Sequence, residues 1–239
     1  MPNDVGATQA FYGRWAGAYD WLASAPGVDS WRDRAADALD LEPGDTVVEM
    51  GCGTGANFAH LRERVGAEGR VVGVDLTRGM LRRASERVAR GGWENVDLVQ
   101  ADARRPPVEG PVDAVLATFV VGMFPDPRPV VERWVDMLAP EGRIALLNAG
   151  RSDRRVATAL NLGFRAFVRV AAPGDGRVSP TKSLERRVAT ARDELYSTCP
   201  EHGYEEFGLG YLGLAWGERP AEVDAEPSEA TSLELPPVR

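Results

Sequence analysis

Lysine is nearly missing from this chain of 239 residues. Lys182 is the only one, and arginine supplies the rest of the 28 basic side chains, which face 36 acidic ones for a net charge of −8. An acidic chain without a basic stripe argues against nucleic acid as substrate. Cysteine is scarce too: Cys52 and Cys199 give neither a disulfide framework nor metal-ligand spacing. No metal is expected, and a reducing cytoplasm is the expected setting. The two histidines, His60 and His202, leave little choice of imidazole base. Long apolar runs are also lacking. The longest, Ala114 to Phe124, falls well short of the roughly 20 residues that span a bilayer. The N-terminus shows no basic-then-apolar leader, so secretion is not expected. The 44% of hydrophobic residues is enough for one large core.

Glycine is what the chain does have, concentrated in VVEMGCGTGANF from Val47 to Phe58. Val47 and Val48 suit a buried strand, and Gly51, Gly53 and Gly55 allow a sharp turn lying close to a ligand. The helix expected over ANFAHLRERV points its free N–H groups back at that turn. A dinucleotide fingerprint would need G-x-G-x-x-G with pyrophosphate on the helix N-terminus. Here the spacing is Gly51-x-Gly53-x-Gly55, and Glu49 lies two residues before it. A carboxylate there repels pyrophosphate and favours an ammonium group, so the implied ligand carries an amine and lacks phosphate.

Downstream, RVVGVDL is a second strand ending in Asp75, where a carboxylate can accept ribose hydroxyls. A helix follows, with Thr77 as expected N-cap and Gly91-Gly92 as stop. VDLVQADA ends a third strand near Asp102, PVDAVLATFVVGMF gives a fourth strand and its exit loop, and LAPEGRIALLNA gives a turn and a fifth strand. Alternating strands and helices imply right-handed crossovers and a parallel sheet. Ligands of such sheets sit at the carboxyl ends of the strands, where Glu49, Asp75, Asp102 and Thr118 fall. Plainer readings exist: a mere tight turn, a helix-capping Asp75, a loop residue at Asp102 and a polar strand end at Thr118.

The glycine turn resembles motif I of the class I S-adenosylmethionine (SAM)-dependent methyltransferases. The order AGAYDWLA, VVEMGCGTG, GVDLTRGML, QADARRPP, FVVGMFPDP and LAPEGRIALLNA, closed by YEEFGLGYLGLAWGERP, is similar to the ubiquinone/menaquinone C-methyltransferases (UbiE-like) over roughly residues 10 to 220. The resemblance implies a Rossmann-like α/β fold, with a mostly parallel seven-stranded sheet and a C-terminal antiparallel hairpin. SAM is the implied cofactor, with Glu49 near the methionine ammonium, Gly51, Cys52, Gly53 and Gly55 against the aminoacyl part, and Asp75 on the ribose. Asp102 and Ala103 would meet the adenine, Leu76 and Met80 would pack on the nucleoside, Thr118 would lie at the strand end and Tyr19 would close over the site. The implied acceptor is a lipophilic or aromatic small molecule such as a quinone precursor. Alternatives are a phospholipid N-methyltransferase, an NAD-dependent oxidoreductase and a SAM-binding protein without catalysis. Two departures stand out: LLNAG replaces a glutamate-containing segment after the fifth strand, and the substrate-side sequence from Arg151 to Thr198 matches weakly. Ala117-Thr118-Phe119-Val120 stands where enzymes methylating nucleic-acid amino groups carry an Asn/Asp-Pro-Pro-aromatic motif, which disfavours that substrate class.

Around this core, residues 1–41 form an expected helical extension. Its aromatics Phe11, Tyr12, Trp15, Tyr19 and Trp21 either pack on the sheet or form a lid over a cation. Residues 42–217 form the expected cofactor domain, with 151–200 a substrate-side insertion, and 218–239 an acidic, Pro-rich, disordered tail. A helix over RSDRRVATALNLGFRAFVRVAA would carry Arg151, Arg154, Arg155, Arg165 and Arg169, meeting either a phosphate, anionic lipid at a membrane surface, or only solvent. His60 is expected to be structural, whereas His202 precedes the closing hairpin and can reach the pocket. The acidic, lysine-poor composition resembles haloarchaeal proteins and is equally the mark of a GC-rich genome. The sequence gives no catalytic base and no oligomeric state.

Overall fold

The computed structural model of the chain describes residues 28–108, 110–150 and 180–221. In chain order these form α1 (Val28–Asp37), β1 (Thr46–Met50), α2 (Phe58–Val65), β2 (Arg70–Asp75), α3 (Arg78–Gly91), β3 (Val96–Gln100), β4 (Val112–Thr118), α4 (Arg128–Asp136), β5 (Leu138–Ala149), α5 (Pro180–Thr198), β6 (Glu201–Phe207) and β7 (Leu212–Glu218). One sheet runs β3-β2-β1-β4-β5-β7-β6. The first five strands are parallel, and β7 is antiparallel to both neighbours. A return strand after the short Gly208–Gly210 turn can only run antiparallel, so β7 inserts beside β5 and leaves β6 at the edge. The mostly parallel sheet with a closing hairpin is the fold class the sequence implies.

Helices cover both faces, which is why the inner strands read as near-continuous apolar runs. Adjacent residues of β1 point to opposite sides: Val47 joins Phe58, Leu61 and Val65 of α2 and Leu81 and Ala84 of α3, while Val48 joins Trp134 of α4 and Leu195 of α5. Ala35 and Ala36 of α1, with Leu39 just beyond it, complete the first layer. The chain order reverses between β1 and β4. Connections leave these two strands toward opposite faces and open a crevice at their carboxyl ends.

Several boundaries differ from expectation. α2 starts at Phe58 rather than Ala56, because Asn57 turns its side chain away from the helix end to a strand partner. Thr77 stands at the N-cap of α3 without a side-chain cap bond, whereas Gly92 ends α3 in the left-handed conformation at φ 60°. The turn expected at Pro140-Glu141-Gly142 lies within β5 as a register shift, between the Val112–Leu138 and Ala114–Arg143 pairs. Of the expected substrate-side segment, residues 180–200 fall among the described residues and pack into the core. Pro180 opens a 19-residue helix whose Ala191 and Leu195, with Cys199 just beyond it, are fully buried in the second layer. β7 extends to Glu218, and Arg219 continues the backbone pairing with Gly142, so the core ends beyond residue 217. The aromatic N-terminal segment with Tyr19, the arginine-rich segment 151–172 and residues 222–239 lie outside the described residues. Among the described residues no helix is long and apolar enough to cross a membrane.

Candidate cofactor crevice

The glycine turn is stitched to the neighbouring strand. Gly51 and Cys52 donate their N–H groups to the Val74 carbonyl at 2.8 and 3.0 Å. Gly51 has φ 70°, and a Cβ there would lie 2.8 Å from Val120 Cγ2, so no side chain fits. At Gly55, φ 72°, a Cβ would meet the Phe58 ring at 2.4 Å. Gly53 faces open space and donates its N–H to Asp75 Oδ2 at 2.9 Å. Asp75 Oδ1 accepts from the Thr77 N–H at 2.7 Å, so one carboxylate holds the turn after β1 against the entry of α3. Burial raises its pKa above the ordinary value, opposed by these two bonds. Arg87 on α3 adds a bond from Nε to the Thr54 carbonyl at 3.0 Å.

Glu49, at the end of β1, is only 1% exposed. Its Oε1 accepts from Asn57 Nδ2 at 2.6 Å, and the same amide reaches Thr118 Oγ1 at 3.1 Å. Its Oε2 is buried with no hydrogen-bond partner among the described residues. Burial pushes the carboxyl pKa up to about 8, against the opposing pull of Asn57 and of the Arg32 charge. Arg32 comes from α1, 11% exposed in its side chain and paired with Asp29 at 3.0 Å; with Trp31 it lines the crevice above the turn, facing Thr118 and Phe119. The expected residues Glu49, Gly51, Cys52, Gly53, Gly55, Asp75 and Thr118 thus meet in one place. Trp31, Arg32 and Asn57 join them unforeseen. The WRDRAADALDL helix carries no pattern telling which turn meets the glycines, and Asn57 sits within a stretch that reads as helix.

Other expected residues are placed differently. The Cys52 thiol is 4% exposed and points under the turn, where a Cβ on Gly73 would come within 3.0 Å of it; burial drives its pKa well up. Asp102 lies just past β3, its carboxylate held by Arg104 Nε at 3.0 and 2.9 Å, and this bond holds its pKa below the usual carboxylate range. Ala103 is buried, and its carbonyl accepts from Trp134 Nε1 at 2.8 Å. Met80 is buried and Leu76 half-buried at the start of α3. His60 Nδ1 lies 2.7 Å from Asp33 Oδ1, joining α2 to α1. His202 does not reach the crevice. It pairs with Gly217, itself opposite Ile144 midway along β5, stacks on Tyr196 at 4.0 Å and sits 2.8 Å from the Cys199 carbonyl.

A buried carboxylate with one oxygen lacking a donor, at a glycine turn without a G-x-G-x-x-G phosphate cradle, fits a ligand bearing an ammonium group. Residues 47–142 match the model of a family described as a methyltransferase domain. Over 139 residues the chain is 36% identical to Nocamycin O-methyltransferase of Saccharothrix syringae, covering 56% of this chain and 48% of that protein. Over 123 residues it is 30% identical to the demethylmenaquinone methyltransferase of Shouchella clausii, covering 51% and 52%. The chain spans about half the length of these relatives. An O-methyltransferase family protein from Burkholderia thailandensis shares the fold at a TM-score of 0.60 and 20% identity, covering 92% of this chain and 62% of that one. The sheet order, the glycine turn with its acidic neighbours and these matches agree: residues 47–142 match a methyltransferase domain, and the chain is similar in sequence and fold to the class I methyltransferases, whose cofactor is S-adenosylmethionine.

Proposed function

We propose that this protein transfers a methyl group from SAM to a lipophilic or aromatic small molecule, of which a quinone precursor is one example. The observation that carries the acceptor class is the loop leaving β4. Val120 packs onto Gly51 of the cofactor turn, and Val121 and Phe124 are buried beside it, so the loop meets the turn through apolar side chains. The small-molecule methyltransferases among its relatives support the same class.

In this reading Glu49 Oε2 takes the cofactor's ammonium, Arg32 lies within reach of its carboxylate, and Asp75 accepts from the ribose hydroxyls. Ala103 and Asp102 border the adenine, and Met80 and Leu76 the nucleoside. The bound cofactor supplies a methyl carbon already activated by a sulfonium, so the protein's work is to bind, orient and exclude water. Such positioning supplies up to roughly 7–11 kcal/mol in favourable cases. Neither histidine is among the residues lining the crevice, which suits an acceptor needing no imidazole base.

Two measurements test this. S-adenosylhomocysteine should raise the melting temperature while NAD does not; the reverse result overturns the cofactor assignment. With methyl-labelled SAM and separated lipid, quinone and polar extracts, label should enter an organic-phase small molecule. Label confined to polar products, or to phospholipid, overturns the acceptor class.

A further inference from the structure

Arg187 lies on α5, outside the cofactor crevice. Its Nε is buried with no hydrogen-bond partner among the described residues, a state shared only with Glu49 Oε2 among their side-chain atoms. Its single hydrogen bond among those residues is a long one, 3.3 Å from Nη1 to the Gly122 carbonyl. No carboxylate among the described residues pairs with it. A guanidinium presents five donors in a planar fork matched to a two-oxygen anion; the Arg187 side chain is half-buried, and its Nε, shut off from water, has lost hydration without gaining an acceptor.

Its position gives the unmet donor a meaning. Gly122 lies in the loop that leaves the carboxyl end of β4, two residues beyond the Val120 side chain that covers Gly51. α5 packs directly on this loop: a Cβ on Gly122 would come within 2.2 Å of Leu184 Cδ1 and 3.4 Å of Val188 Cγ2. Leu184, Arg187 and Val188 therefore share one turn of the helix against the loop, setting a cation among apolar side chains on the acceptor side. The fold gives Glu49 an unmet acceptor where the cofactor's cation is expected, and gives Arg187 an unmet donor farther along the same loop.

We infer that Arg187 binds an anionic oxygen group of the methyl acceptor, so that the acceptor is an apolar body carrying a carboxylate or an ionised enol or phenol. This rests on the methyltransferase reading and narrows its substrate class. An acceptor that arrives ionised also fits a crevice that neither histidine lines.

The test uses the full chain saturated with S-adenosylhomocysteine and two matched probe pairs in calorimetry. One pair is 2-naphthoate and its neutral amide. The other is 2-hydroxy-1,4-naphthoquinone, an enol ionised at neutral pH, and its neutral methyl ether. At least one anion should bind about tenfold or more tightly than its neutral partner, the scale of one hydrogen bond to a charged group. The pair that shows the preference tells carboxylate from enolate. Arg187→Gln should erase the preference and leave S-adenosylhomocysteine affinity unchanged, which a merely structural arginine would not do. Arg187→Met keeps an apolar stem between Leu184 and Val188 and should behave the same if the glutamine variant folds poorly. Equal affinities within both pairs, or a preference surviving in a folded variant, overturn the inference, as does a failure of both anions to bind a chain that takes up S-adenosylhomocysteine. A native chain that does not take up S-adenosylhomocysteine at all instead overturns the cofactor assignment beneath it.

Discussion

Replacing Glu49 by glutamine should stabilise the ligand-free protein and weaken its hold on the cofactor. Glu49 is fully buried, and its pKa moves from 4.5 to about 8. Each unit corresponds to about 1.4 kcal/mol, so ionising this carboxyl inside the fold costs roughly 5 kcal/mol more than in the unfolded chain. The sign follows from proton counts. Between pH 4.5 and 8 the folded state holds a proton that the unfolded state has lost, so stability falls as pH rises through that window and levels off above it. About two thirds of the loss is already present at pH 7, and roughly 1 kcal/mol more accrues by pH 9. Glutamine keeps an acceptor for Asn57 Nδ2 and carries no charge, so this slope should vanish from urea unfolding measured at pH 5.5, 7 and 9. Binding runs the other way. A cofactor ammonium needs the ionised carboxylate, so native affinity for S-adenosylhomocysteine should fall about tenfold per unit as pH drops from 8 to 6. In Glu49→Gln the affinity should be weak and flat over that range. A variant no more stable than the native chain at pH 9, or a native affinity flat from pH 6 to 8, refutes the reasoning.

Three further substitutions probe the same end of the sheet. Asp75→Ala removes the acceptor of both the Gly53 and Thr77 N–H groups, and S-adenosylhomocysteine affinity by calorimetry should drop by about tenfold or more for a lost charged hydrogen-bond partner. Gly51→Ala places a methyl 2.8 Å from Val120 Cγ2 at a φ of 70°. Thermal melting should fall by the equivalent of about 1–3 kcal/mol of local strain, together with lost cofactor uptake. Trp134→Phe keeps the ring against Phe124, whose centroid is 5.9 Å away, but strands the buried Ala103 carbonyl. Urea unfolding should show a loss of about 1–3 kcal/mol.

The parts of the site legible in the sequence are those whose chemistry is local. Gly51 and Gly55 announce themselves because left-handed backbone and absent Cβ atoms leave few other residues possible. Glu49 and Asp75 end strands that read as strands, and parallel pairing carries both to the same edge. His202 misled because it precedes a hairpin of recognisable sequence. The antiparallel insertion of β7 decides where along the sheet His202 lies, and it sets it against Gly217, itself opposite Ile144 midway along β5. α5 was readable in principle, with Pro180 at its start and Leu184, Val188, Ala191 and Leu195 at helical spacing. It was hidden by the arginine-rich stretch before it, which drew the segment toward a substrate-side assignment.

Glu49 Oε2 and Arg187 Nε could not have been found from sequence, because what marks them is missing partners, and a missing partner exists only in three dimensions. Both answer to the loop after β4. Thr118, at its start, is tied through Asn57 to α2 on one face of the sheet, and Gly122, four residues on, is packed by α5 on the other. Most buried polar atoms in a fold are hydrogen-bonded, and leaving one acidic and one basic group short of a partner costs stability at both places. Two ordinary packing defects would have no reason to be opposite in kind or to lie against the two ends of one loop. A zwitterionic cofactor on one side and an anionic acceptor on the other would account for both. The Glu49 and Arg187 variants test that pairing independently, since the first should change cofactor affinity but not the preference for anionic probes, and the second that preference but not cofactor affinity.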